Sequence, residues 1–256
     1  MAVLLALRGN LLRSPGELRG GRGCTRTVNR ITPFGSLLPR PEDGRVRIRR
    51  RVALELAALA VLTSTFLLVV PARPVWVDAG LAVVAVLLVA ATARTTREQI
   101  WPPPAATRHE RLRHAWRHLL IGTSAVALLF GIIGRWTGQA MFTPTMVAAL
   151  VPFTLWATLQ QLLFQFYLLG RLRALVPTSP ALALAAINGL LFGAVHLPDV
   201  ELTVLTSAGG AVWSWYYLRD RCLAPIAISH AALGTTYYYC IRGEDLLLRW
   251  LSAAPW

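Results

Sequence analysis

The chain has 256 residues, 55% of them hydrophobic and only 15% charged, with a mean hydropathy of +0.51. That balance excludes an ordinary soluble domain and describes a protein that crosses a membrane several times. The net charge of +14 comes from arginine alone, spread over the connections between apolar runs. This spread speaks against a nucleic-acid partner, which would need one continuous basic face, and for arginines that set topology and touch anionic headgroups.

Residues 1–51 are rich in Arg, Gly and Pro and show no helical or strand period, so they read as a disordered basic cytoplasmic tail. The opening MAVLLALRGNLLR has no basic region ahead of its apolar stretch and no small-residue cleavage site after it, which argues against a secretory signal. A start site assigned too far upstream would also produce such a segment, and an intact mass that includes Met1 would dismiss that explanation.

Seven runs are long and apolar enough to be candidate spans of a hydrocarbon layer about 30 Å thick. They fall near 52–70, 75–93, 119–134, 144–169, 181–197, 202–218 and 223–241. The expected fold is therefore all-α, a polytopic helix bundle with a hairpin and basic loop over 52–118, a core over 119–241 and a short tail over 242–256. Pro144 and Pro152 leave open whether the fourth run is one helix or two, so six or eight spans stay open. Glu55 and Asp78, near the inner and outer ends of the hairpin, are expected to snorkel to the interface.

Arginine placement predicts the orientation. Twelve arginines precede the first run, six lie between Arg94 and Arg117, and Arg171, Arg173, Arg219 and Arg221 occupy the alternate connections. The opposite connections hold only Arg73 and Arg135, with Asp199 and Glu201. This asymmetry predicts a cytoplasmic N-terminus and, in a bacterium, the inner membrane. Trp76, Trp101, Trp116, Trp136 and Trp250 fall at or just beyond run edges, where indole rings prefer to sit. Cys24, Cys222 and Cys240 lack CxxC spacing and read as free thiols or packing residues. His114 and His118 are four apart, but Arg113 and Arg117 in the same turns would repel a cation, so a solvated basic helix is the expected state and no metal is expected there.

The informative residues lie in the second half. Gln160, Gln161 and Gln165 interrupt the fourth run, His196 closes FGAVH, and His230 opens HAALG. Polar groups at membrane depth are costly, so they face a bundle interior and tend to be functional. Gln161 and Gln165 share a helix face, and the pairs Phe192 with His196 and His230 with Gly234 are also one turn apart. Between Leu119 and Ile241 the only carboxylates are Asp199, Glu201 and Asp220, all in short connections. A site built from these clusters has histidines and amides but no buried acid. Asp199, three residues after His196, is the one candidate substitute acid.

QQLLFQFYLLGRL resembles the EELLFRGYLLGRL-type first motif of the CAAX-protease and bacteriocin-processing family of intramembrane proteases, also called the type II CAAX prenyl endopeptidase or lysostaphin-resistance-like family. LLFGAVHLP resembles its Phe-x-x-x-His motif and LAPIAISHAALG its His-x-x-x-Asn motif, in the same order across 144–239. The resemblance implies a bundle in which paired glutamates activate a water for peptide-bond hydrolysis, while two histidines and an asparagine position it and stabilise the oxyanion. Here Gln160 and Gln161 stand for the glutamates, Gln165 for the arginine and Gly234 for the asparagine; Phe192, His196 and His230 are kept. An amide copies the shape of a carboxylate but cannot take up a proton at neutral pH, and losing positioned proton transfer alone costs about 10²- to 10⁴-fold. Removing the carboxylates also removes the need for the guanidinium, so these changes look concerted.

The expectation is a pseudoprotease that binds peptide or membrane-anchored, lipidated protein substrates, beside an active paralogue, in protein processing or sorting, with no cofactor. The alternatives are an active endopeptidase using the retained histidines, and a transporter-like or scaffolding bundle. Straight helices drawn over these runs would put His196 about 10 Å further out than His230. Convergence of the three clusters is therefore implied by the resemblance and not by helix lengths.

Overall fold

The computed structural model describes residues 41–69, seven residues between 80 and 91, and 108–252. Expectations for the first forty residues, Asp78, Trp76, Trp101 and Cys24 lie outside the described residues. Every described element is helical, and no strand occurs among the described residues.

Helix α1 spans Pro41–Val69. It takes in the arginine-rich run 45–51, which composition suggests is tail, and it begins at a proline, whose fixed φ and missing N–H suit a first helical turn. The described residues of the next run, between 80 and 91, are helical and exposed.

Helix α2 covers Arg108–Thr137, so the basic segment before the third run and the run itself form one rod. Helix α3 covers Pro144–Leu175 without a break. Pro144 sits in its first turn after the extended Thr143, where a missing N–H costs nothing, and Pro152 lies inside the helix without splitting it. A π-helical segment, Leu162–Leu168, is set between α-helical stretches; the Leu169 N–H donates to the Phe164 carbonyl five residues back.

Helix α4 spans Ala181–Ala194 and α5 spans Val200–Asp220. The Asp199 carboxylate caps α5 by accepting from Leu202 N–H at 3.0 Å, and Arg221, with φ of 56°, ends it in the left-handed region. Helix α6 covers 223–242, α-helical over Leu223–Thr236 and π-helical over Tyr237–Arg242, and stops at Gly243 with φ of 61°. A short helix α7, Leu246–Leu251, is capped by Asp245.

Two of these helices, His109–Thr137 and Pro144–Leu175, are long and apolar enough to cross a membrane, and α4 is apolar but shorter. Much of their apolar surface faces outward, as lipid-facing residues do: Ile121, Leu128, Val151 and Leu155 are all exposed.

Packing is closest between α4 and α5, then between α3 and α6 and between α2 and α6. Small residues allow the first contact. A Cβ at Gly193 would lie 1.8 Å from Ser207 Oγ and 2.5 Å from the Thr203 carbonyl, and one at Gly189 would lie 2.5 Å from Ala211 N. Gly189 and Gly193 form a Gly-x-x-x-Gly face, which draws two helix backbones together where lipid offers no hydrophobic drive. Phe164, Phe192, Trp213, Tyr217 and Ile226 form one buried cluster; Ala149, Phe153, Ala157 and Tyr239 form a second, between α3 and α6.

Glu55 does not simply snorkel. It pairs with Arg51 at 3.0 Å and with the buried Arg171 at 3.2 Å, tying α1 to the end of α3. A guanidinium buried this deeply costs desolvation, so removing Glu55 would leave an uncompensated charge at the end of α3.

Candidate functional site

The three polar clusters meet between α3, α4, α5 and α6. Gln161 closes the α-helical part of α3 and Gln165 lies in its π segment, a helical form that recurs at functional sites. Both are fully buried, whereas Gln160 is half-buried and bonds to none of the other site residues. Gln161 Nε2 lies 3.2 Å from His230 Nδ1. An amide nitrogen can only donate, so the imidazole accepts there and a neutral ring carries its proton on Nε2.

Gln165 reaches a residue that the motifs do not mark. Asn188, fully buried on α4, donates from Nδ2 to Gln165 Oε1 at 3.4 Å and to Ser214 Oγ at 2.8 Å, and Ser214 donates on to the Gly210 carbonyl at 2.6 Å. A second string supports the other side: Trp213 Nε1 donates to Ser229 Oγ at 3.1 Å, and Ser229 shares a 2.6 Å bond with Thr123 on α2. The signal for Asn188 was present in the sequence, as the one amide in the run ALALAAINGLL, four residues before Phe192.

His196 sits just past α4. Its Nδ1 is 2.9 Å from the Phe192 carbonyl and 3.3 Å from Thr206 Oγ1. It joins the site through a ring: Phe192 lies 5.5 Å from the His196 imidazole and 5.4 Å from that of His230, centroid to centroid. Phe192 thus spans the depth difference that straight helices leave between the two histidines. It also meets Phe164 at 4.8 Å and Trp213 at 5.8 Å, both edge to face, and Trp213 lies 4.7 Å from His230.

Gly234 is explained by its neighbour. A Cβ there would lie 2.2 Å from Phe153 Cε1 and 2.6 Å from Cζ, so the Phe153 ring occupies the space that any side chain at 234 would need. Phe153 is buried and packs edge-on against His230 at 6.0 Å.

Asp199 is engaged elsewhere. Besides capping α5, its carboxylate is paired with Arg242, which also reaches Glu201 at 3.6 Å. These contacts anchor it at the end of the bundle and give no support to a role as substitute acid.

Three buried atoms of this patch have no hydrogen-bond partner among the described residues: Gln161 Oε1, Gln165 Nε2 and Asn188 Oδ1. Two are acceptors and one is a donor, all neutral. The arrangement can hold a polar group by hydrogen bonds; with amides in place of acids it offers no carboxylate base. No group of three or more His, Cys, Asp or Glu that could hold a metal occurs among the described residues.

Residues 140–236 match the model of the type II CAAX prenyl endopeptidase Rce1-like family, the same family that the motifs resemble. Comparison with curated proteins and with solved structures gave no match. The matched segment holds Gln160, Gln161, Gln165, Phe192, His196, His230 and Gly234 within its bounds. It is a CAAX-protease-like segment, and with the long apolar helices it makes this a membrane protein.

Proposed function

We propose that this protein is a pseudoprotease of the CAAX-protease-like type, which binds peptide or membrane-anchored protein segments without cleaving them. The single observation that carries the reading is the neutral contact of Gln161 with His230, fully buried, where hydrolysis would need a carboxylate. A peptide unit offers one N–H and one carbonyl, and Gln161 Oε1 and Gln165 Nε2 are a buried acceptor and donor of matching kind. A neutral amide set also costs less than an ion pair inside hydrocarbon, which favours a binding fold kept after its chemistry was given up.

The natural setting for this role is a bacterial inner membrane, with the N-terminus cytoplasmic and seven spans, next to an active paralogue whose substrates the protein would hold during processing or sorting. The alternating arginine distribution supports the orientation.

The test is a panel of lipidated and unlipidated peptides incubated with the purified full chain. No peptide should be cleaved, at least one should bind, and His196→Ala or His230→Ala should weaken that binding. Turnover abolished by Gln161→Ala would sink the proposal in favour of a working endopeptidase. Restoring Gln160→Glu, Gln161→Glu and Gln165→Arg should yield at most weak hydrolysis while Phe153 fills the space at 234. Adding Phe153→Ala with Gly234→Asn should raise it further.

A further inference from the structure

The arginines of this molecule fall into two groups. Arg51, Arg171, Arg219, Arg242 and Arg249 each meet a carboxylate: Glu55 for the first two, Asp220 for Arg219, Asp199 for Arg242 and Glu244 for Arg249. Arg113 and Arg117 on α2 are exposed and meet none among the described residues. They line a cleft of about 320 Å³ with His109, Glu110, His114 and His118. Glu110 is the only carboxylate among the described residues of that lining, and the two arginines outnumber it.

The two inner histidines hold its shape. His114 donates from Nδ1 to the buried Asp220 carboxylate at 3.1 Å, and His118 donates from Nδ1 to the His114 carbonyl at 2.9 Å, with ring centroids 4.0 Å apart. Arg111 adds a bond from Nη1 to the Arg219 carbonyl at 3.0 Å. The Arg111 and His114 contacts pin the basic start of α2 to the end of α5, so Arg113 and Arg117 project from a fixed platform.

What lies below them on the same helix identifies the occupant. At 3.6 residues per turn, Arg113, Arg117, Ile121, Leu128 and Ile132 fall within about 100° of one another around the axis. The three apolar residues of this stripe are 62%, 66% and 57% exposed. From Ile121 to Ile132 the stripe runs about 16 Å, at about 1.5 Å per residue, which is close to one leaflet of a hydrocarbon core about 30 Å thick. Two guanidinium groups with no carboxylate partner among the described residues, at the head of a leaflet-length apolar stripe, are complementary to one kind of molecule, an anionic phosphodiester headgroup carrying acyl chains.

We propose that this face of α2 is a binding site for an anionic phospholipid, with Arg113 and Arg117 holding the phosphate and the stripe below them holding an acyl chain. Guanidinium forks match phosphate oxygens bidentately, and each basic side chain near a membrane surface contributes about 1 kcal/mol of attraction to anionic lipid. The site is separate from the amide patch between α3 and α6.

The full chain in neutral detergent is titrated with phosphatidylglycerol, with phosphatidylcholine and with inorganic phosphate, reading bound lipid by native mass spectrometry and the thermal midpoint. Phosphatidylglycerol should be retained and should raise the midpoint, while phosphatidylcholine and inorganic phosphate at equal concentration should do neither. Arg113→Gln with Arg117→Gln should weaken retention about 30-fold, the two contributions of about 1 kcal/mol converted at about 1.4 kcal/mol per tenfold. Arg135→Gln with Arg173→Gln, two exposed arginines outside the cleft that take no part in its supporting contacts, should change it less than about threefold on the same scale. Because the substituted residues are exposed, an unchanged helical circular dichroism spectrum verifies folding. Equal retention of both lipids, equal loss in the control pair, or no loss in the cleft pair overturns the proposal. So does reproduction of the effect by inorganic phosphate, which would mark a free-anion site.

Discussion

The middle of this bundle and its ends solve the same problem in opposite ways. At the ends, charge is kept and paired: Glu55 with Arg171, Asp220 with His114, Asp199 and Glu201 with Arg242, Glu244 with Arg249. In the middle, at Gln161, Gln165, Asn188 and His230, the groups keep the shape of polar side chains and carry no acid or guanidinium. Where a buried ion such as Arg171 or Asp220 is kept, it has a partner of opposite charge, because the desolvation of each ion competes with their attraction. A catalytic centre accepts that cost because it needs proton transfer. A neutral amide middle carries neither that cost nor a carboxylate base, which is what favours the proposed binding role over turnover.

Three substitutions test this contrast, from the largest expected effect to the smallest. Phe192→Ala removes the ring on which both imidazoles, Phe164 and Trp213 converge; we expect a loss of about 3–5 kcal/mol in unfolding free energy, measured by denaturant titration in detergent. A loss below about 1 kcal/mol would mean that the middle is not a packed unit. Asn188→Leu strips Gln165 and Ser214 of their donor and should cost about 1–3 kcal/mol, because a buried partner is left unsatisfied. If instead stability rises, the amide set is dispensable for the fold.

The third concerns an end. Burial raises the Asp245 carboxyl, but bonds from Leu248 N–H, Thr145 and Tyr239 outweigh this and hold it below its ordinary value. A depressed carboxyl contributes stability that is present above the unfolded-state value, about 3.9, and is lost as pH falls through the folded-state value. Thermal midpoints between pH 7 and pH 3 should therefore decline less steeply for Asp245→Asn than for the parent chain. Parallel curves would show that this end contributes nothing through its charge.

Much of the candidate site was legible without coordinates, since the amides at 161 and 165 and the histidines at 196 and 230 stand out against apolar neighbours and keep motif spacing. Other parts were not. Asn188 was a lone amide with no partner in its own helix, Phe153 looked like any core aromatic, and Glu55 looked interfacial until Arg171 was found beside it.

Composition and local pattern by themselves determined that the chain is helical, apolar enough for a membrane, and interrupted by polar groups at 161, 165, 196 and 230. These properties depend on neighbours within one helical turn. Only the tertiary structure decided that Phe192 links the two histidines, that Phe153 takes the space at Gly234, and that α4 lies close enough to α5 for Asn188 to reach Ser214. Those outcomes depend on contacts between residues far apart in the chain, and the packing of one helix on another, set by small residues such as Gly189 and Gly193, is not encoded in any single segment.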